Sequence, residues 1–358
     1  MPVAHTSGAQ SPTLAHPLFN HFPELRSRLA IQPVATLPTP VEQLPLSDRA
    51  WIKRDDLTHP EYGGNKIRKL EFVLADAIRR KARRIITFGA IGTNHGVATA
   101  MMCKHFGLEC VIYLFDQPLS TTVKQNLRLM QAYGARLFYK GSLPQTVAAY
   151  YTSPYRLRAG SYFLFAGGSN LYGTLGFINA ACELQSQIEQ GDCPPPATIV
   201  CPVGSGATLA GLSYGCQLLG LKTEVIGVRV APATLGPIPA CTPGTVYQLM
   251  MKSCRFLTRI CQRPIPKPRA AILLEDYYGD GYGVATRGGQ QALARFRGAG
   301  ITLEQTYTAK AAAAYLDQLD TAKGPALFWD TFNSREMTGI ASAVDTSELP
   351  EKLRRFLE

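Results

Sequence analysis

The amino-acid sequence predicts an α/β protein built as two open, twisted, mostly parallel-sheet lobes with a cleft between them. Three observations carry that expectation. From Trp51 onward, short β-branched or aromatic runs alternate with longer amphipathic ones, and such alternation builds parallel sheets covered on both faces. At 358 residues the chain is long for one compact domain and short for three. Several helical stretches end on a glycine able to take a left-handed cap, at Gly107, Gly134 and Gly220.

Taken in order, residues 1–48 are rich in proline (Pro33, Pro38, Pro40, Pro45) and read as an irregular surface arm. Strands are expected at 51–54, 84–88, 110–115, 136–139, 198–202, 224–230, 271–274 and 326–330. Helices are expected at 66–81, 96–106, 122–133, 171–189 and 208–219. The rhythm divides the chain into 1–69, the arm and part of a large lobe; 70–165, a small α/β lobe; and 166–358, the remainder of the large lobe.

Composition removes several function classes. Hydrophobic residues make up 46% and charged residues 18%, and no apolar run of about 18 residues is present to cross a bilayer. No basic start followed by an apolar block opens the chain, so no secretory signal is expected. The net charge of +11 raises nucleic acid as a partner. Part of the excess falls on Lys252, Arg255, Arg259, Arg263, Lys267 and Arg269, at helical spacing and with only Phe256 among them. That is a solvated face rather than a stacking platform, so neither nucleic acid nor membrane is expected. Attraction for small anions is the milder consequence. Nine scattered cysteines without a CxxC pair argue for reduced thiols in a cytoplasm, and the histidines show no metal-ligand spacing.

Ligands in such folds sit beyond the carboxyl ends of strands, where loops lead into helices. Three loops qualify. The first reads Val203-Gly204-Ser205-Gly206-Ala207-Thr208. Its glycines let successive N–H groups face an anion, the next helix offers its positive end, and Ser205 and Thr208 add hydroxyls, so a phosphate is the expected guest. A dinucleotide loop would want glycine where Leu209 stands and an acid near Arg229; a tight turn required only by packing stays open. The second, Gly63-Gly64-Asn65-Lys66, opens a helix with a lysine, against the dipole. Linked to an aldehyde cofactor, Lys66 would share its charge with a conjugated ring, and Lys69 on the same face could meet a phosphate. By position alone, two surface lysines of a basic helix are the plainer reading. The third, Gly92-Thr93-Asn94-His95-Gly96, offers an amide donor in Asn94, a hydroxyl in Thr93 and a proton relay in His95, or simply an N-cap.

Together with Gly-Gly-Ser-Asn (167–170), Tyr-Tyr-Gly-Asp-Gly-Tyr-Gly (277–283) and Tyr-Thr-x-Lys (307–310), these motifs make residues 36–333 resemble one family. It is the D-cysteine desulfhydrase and 1-aminocyclopropane-1-carboxylate (ACC) deaminase family, which depends on pyridoxal 5′-phosphate and has the tryptophan-synthase-β-like fold type II. The resemblance implies that the interlobe cleft holds this cofactor, that the substrate is a small amino acid, and that the chain is a homodimer. It implies that Lys66 carries the cofactor and later moves the substrate Cα proton. Asn94 would bind the ring hydroxyl, and Gly204, Ser205, Gly206, Ala207 and Thr208 with Lys69 would hold the phosphate. Tyr282 and Tyr307 would line the substrate side as catalytic phenols, with Thr93 as a catalytic hydroxyl. Thr93, His95, Tyr282 and Thr331 would contact substrate.

Thr308 stands where the deaminases carry Glu beside the pyridine nitrogen, and Thr331 where they tend to have Leu. Both positions favour α,β-elimination from a D-amino acid, D-cysteine giving pyruvate, sulfide and ammonia. ACC deamination, another amino-acid substrate, or a non-catalytic cofactor- or phosphate-binding protein are the alternatives. Two departures mark the chain: Thr93-Asn94-His95 replaces Ser-Asn-His, and Asp330-Thr331-Phe332-Asn333 replaces His-Thr-Gly-Gly. Phe332 and Asn333 are expected to narrow or reshape the pocket.

Overall fold

Six strands form the larger sheet, in the order Val41–Gln43, Ala50–Arg54, Ala326–Asp330, Thr198–Val203, Glu224–Arg229 and Ile272–Leu274. All neighbours run parallel except the hairpin of the first two. A second, wholly parallel sheet orders Arg136–Gly141, Glu109–Phe115, Arg84–Ala90 and Ser161–Phe163. This computed structural model describes residues 16–236, 238–321 and 323–358. Thr198–Val203 is buried along its whole length, and Arg84–Ala90 at all but its first residue, the continuous apolar character that helices on both faces require.

The expected α/β architecture is therefore present, with mostly parallel sheets. The arm is more regular than its prolines suggest. A helical turn at Leu18–His21 and a 3-10 turn at Pro23–Ser27 bury Leu18, Leu25 and Leu29 in the core of the larger sheet, and Val41–Gln43 adds an edge strand. Residues 1–15 of the arm lie outside the described residues. The division of the chain also needs adjusting at its end: Met337, Ala341, Leu349 and Leu353, grouped by sequence with the large lobe, pack in the core of the small one. Helices at Leu143–Tyr151, Pro243–Cys261, Arg287–Gly298 and Thr308–Thr321 complete the layers. The basic residues of Pro243–Cys261, including Lys252, Arg255 and Arg259, are exposed, and all nine cysteines are buried and free.

Helix Asn65–Arg79 links the lobes and is pinned by a buried ion cluster. Arg68 makes paired bonds to Asp55 (2.8 and 2.7 Å) and to Glu183 (2.8 and 2.9 Å), while Lys53 donates to Glu183 at 2.6 Å. The indole of Trp329 donates to Asp55 at 2.7 Å. Every charge in the cluster has a partner of opposite sign, the condition under which ions are tolerated inside a fold. The cluster fixes the start of this helix relative to the strand ends beneath it.

Candidate active site

One cavity opens between the two sheets, beyond the carboxyl ends of Arg84–Ala90, Thr198–Val203 and Ala326–Asp330. Its lining includes Lys66, Lys69, Thr93, Asn94, His95, Gly204, Ser205, Gly206, Thr208, Tyr282, Tyr307, Thr308 and Thr331. The site residues named from sequence thus converge, apart from Ala207, which starts helix Ala207–Leu218 just behind the wall.

The lysine loop is shaped by backbone requirements. Gly64, at φ +95°, precedes helix Asn65–Arg79, and a Cβ there would fall 2.9 Å from the carbonyl oxygen of Thr331. Asn65 N–H donates to that same oxygen at 3.2 Å, and Gly63 N–H donates to Asn333 Oδ1 at 2.7 Å. Asn333 therefore does not reshape the pocket: it braces the lysine loop from behind, whereas Phe332 does line the cavity.

Lys66 donates to Asn65 Oδ1 at 2.6 Å and Lys69 to the Gly167 carbonyl at 3.1 Å; among the described residues neither forms an ion pair. Enclosure pushes Lys66 down to about 8, the charge of Glu304 resisting. Burial, then the charge of Lys66, holds Lys69 well below the ordinary lysine range. Two amines in one cleft, neither held in an ion pair, constitute a site suited to an anion.

The glycine loop meets that need. Helix Ala207–Leu218 has Gly206 (φ +91°) at its N-cap, which brings no side chain to its first amides; the Ser169 hydroxyl reaches Ala207 N–H at 3.4 Å. Thr208 Oγ accepts from Asn65 Nδ2 at 3.0 Å and Ser205 Oγ accepts from Ser169 at 2.6 Å, which leaves both hydroxyl hydrogens to donate. A Cβ on Gly167 would stand 2.2 Å from Ser205 Oγ, so that glycine lets the two loops close into a cradle. On the facing wall Asn94 Oδ1 accepts from Tyr62 (3.2 Å) and Asn126 (2.7 Å), orienting its amide nitrogen as a donor.

Thr93 is the N-cap of helix Asn94–His105, its hydroxyl accepting from Gly96 N–H at 3.2 Å, so the capping alternative holds while the residue also lines the cavity. His95 sits between Thr87 (3.0 Å) and Thr99 (3.4 Å). Burial, then the charges of Lys66 and Lys69, keeps it well below the ordinary imidazole range, and it is neutral. The hydroxyls of Tyr282 and Tyr307 touch, and burial raises both phenols, so both stay protonated at neutral pH.

Glu304 lines the cavity too and is absent from the residues that the sequence singles out. Its carboxylate accepts from the amides of Thr306 (2.7 Å), Tyr307 (2.6 Å) and Thr308 (2.9 Å), closing the turn before helix Thr308–Thr321. The available signal was an acid four residues ahead of a helix start, a capping pattern. Thr308 completes the turn, its hydroxyl accepting from Glu304 N–H at 2.8 Å.

Two parallel-sheet lobes, a phosphate cradle at a helix N-terminus and an uncompensated lysine facing it define an enzyme that carries a phosphorylated aldehyde cofactor on lysine. Residues 32–327 match the family described as pyridoxal-phosphate dependent enzyme, and the chain belongs to that family. A crystal structure described as an ACC deaminase homologue superposes with a TM-score of 0.74 at 26% identity, over 91% of this chain and 96% of that one. A threonine deaminase of T.th. superposes at 0.60 with 17% identity, over 91% and 99%. A hydrogen sulfide-producing enzyme of Fusobacterium nucleatum does so at 0.57 with 14% identity, over 85% and 95%. The last two share the fold alone. The cofactor is pyridoxal phosphate, and the donor set above fits it: a cradle for the phosphate, a reactive amine for the aldehyde and an amide for the ring oxygen. No helix among the described residues is long and apolar enough to cross a membrane.

Proposed function

We propose that the chain catalyses α,β-elimination from a β-substituted D-amino acid, with D-cysteine as the simplest substrate and pyruvate, sulfide and ammonia as products. The observation that carries this reading is Thr308 at the head of helix Thr308–Thr321, a neutral hydroxyl at the cavity wall beside the paired tyrosines. Glu304 does not substitute for an acid there, because its oxygens are engaged by the amides of its own turn. Bound pyridoxal phosphate supplies an electron sink for the pair released when the Cα–H bond breaks. Without a carboxylate to keep the ring nitrogen protonated that sink is weaker, which suits departure of a good leaving group such as sulfide over opening of a cyclopropane.

The protein's residues divide the remaining work. Lys66 anchors the cofactor and takes the Cα proton at Nζ, its enclosure favouring the neutral base. Ser205, Thr208, Lys69 and the amides of 204–208 hold the phosphate, and Asn94 the ring oxygen. Tyr282 or Tyr307, both protonated, gives a proton to the departing sulfur. Thr93, neutral His95 and Thr331 line the place of the substrate. The D-configuration rests on the family resemblance, as does a homodimer, which light scattering of the holoprotein tests. Nine buried free thiols accord with a reducing cytoplasm.

A panel of D- and L-amino acids, read for pyruvate, 2-oxobutyrate and sulfide, tests the reaction. Pyruvate with sulfide from D-cysteine is expected; 2-oxobutyrate from ACC with no sulfide would replace this reading by deamination. Cofactor binding with no product from any compound would leave a non-catalytic binder.

A further inference from the structure

The cavity continues past the tyrosine pair into a wall the elimination of a small thiol does not use. Phe115 stands 6.1 Å from the ring of Tyr282, and Phe88 and Phe165 meet edge to face at 5.2 Å. Leu143, the first residue of helix Leu143–Tyr151, and Leu235 of strand Thr234–Leu235 pack from opposite lobes against the same apolar cluster as Phe165, and Phe332 lines the same cavity. Leu143, Phe165, Leu235 and Phe332 are only half-buried and keep apolar surface free. Among the described residues the charged groups lining the whole cavity are Lys66, Lys69 and Glu304; no guanidinium is present. The two lysines face the phosphate cradle, so a charged group on a substrate side chain would enter this wall without a partner, which apolar surroundings penalise heavily.

We propose that the substrate is an S-substituted cysteine whose sulfur carries an uncharged apolar group, alkyl or aryl, and that this wall receives the departing thiol. The inference rests on the elimination reading and specifies its leaving group. The Cα–H proton passes to Lys66 and the electron pair forms the Cα–Cβ double bond. The Cβ–S bond breaks with both electrons on sulfur, and a tyrosine protonates the thiolate. Water then hydrolyses the released enamine, so that R–S–CH2–CH(NH3+)–COO− and H2O give R–SH, pyruvate and NH4+. Each methylene settled on the wall should raise kcat/KM by about tenfold until the wall is filled.

Holoenzyme assayed for pyruvate with D-cysteine and its S-methyl, S-benzyl and S-carboxymethyl derivatives tests this. The S-benzyl compound should be turned over about tenfold or more faster than D-cysteine, and about a hundredfold or more faster than the S-carboxymethyl compound. Equal turnover of S-benzyl and S-carboxymethyl compounds, or D-cysteine as the fastest, overturns the proposal. Leu235→Arg, and independently Leu143→Arg on the facing lobe, should shift preference toward S-carboxymethyl-D-cysteine by about tenfold; no shift in either variant, with cofactor absorbance retained, also overturns it. Pyruvate from none of the compounds overturns the elimination reading instead. The wall is then read by spectral titration of the holoenzyme, in which D-phenylalanine should bind more tightly than D-glutamate, and equal affinity would remove the wall as a specificity element.

Discussion

Two faces of helix Asn65–Arg79 carry cations that are buried or half-buried, and they are treated in opposite ways. Arg68 turns into the fold and meets Asp55 and Glu183 through bonds of 2.7 to 2.9 Å. Lys66 and Lys69, within three positions of it, turn into the cleft and meet only neutral oxygens. A paired internal charge is a fixture of the architecture, whereas an unpaired one facing a cavity marks where a ligand of opposite charge or an electrophile belongs. The same helix thus holds both the anchor of the fold and the anchor of the chemistry.

Substitutions that separate those two anchors test the contrast. Lys66→Ala should abolish the visible absorbance of the holoenzyme and lower turnover by about a thousandfold or more, while the denaturation midpoint of the apoprotein holds or rises. Loss of stability with retained absorbance would reverse the assignment. Glu183→Ala should do the opposite, costing about 3–5 kcal/mol in urea denaturation by stranding Arg68 and Lys53, with the cofactor spectrum of the folded fraction preserved. Lys69→Met should weaken cofactor binding by about ten- to a hundredfold, the cost of one charge-assisted bond to a phosphate, as read by fluorescence titration.

The smallest effects concern protons. Because enclosure lowers Lys66 to about 8, the amine is protonated and unreactive below that pH and free above it. The rate of cofactor uptake by the apoprotein should therefore climb through about pH 8 and level off beyond, rather than climb toward 10.5 as an ordinary lysine would require. Glu304 raises Lys66, so Glu304→Gln should move that midpoint to lower pH by a fraction of a pH unit. A midpoint that stays in place would mean the carboxylate serves only to close its own turn.

Many long elements with strong periodicity are legible in the sequence, although helices Arg287–Gly298 and Thr308–Thr321 are not among those expected. The left-handed caps at Gly107, Gly134 and Gly220 stand where the helices are expected to end. Short or conditional elements are not. Ser161–Phe163 becomes a strand only by pairing with Arg84–Ile86, and three residues carry no period of their own. From sequence Asn333 is a side chain intruding on the pocket, yet it bonds to Gly63 N–H, because the backbone of the lysine loop passes directly behind it. Glu304 is hidden for a related reason: a capping acid and a cavity-lining acid have the same sequence signature.

The sequence by itself determined the pieces whose chemistry is local. These are glycines that permit a positive φ and a close approach, a helix N-terminus that offers bare amides, and a lysine placed against a dipole. What only the tertiary structure decided was which charges find partners. Arg68, Lys66 and Lys69 lie in one short stretch of one helix, and nothing in their spacing says which is neutralised. That depends on Asp55, on Glu183 and Gly167 brought up from distant parts of the chain, and on how far the two lobes enclose the cleft between them.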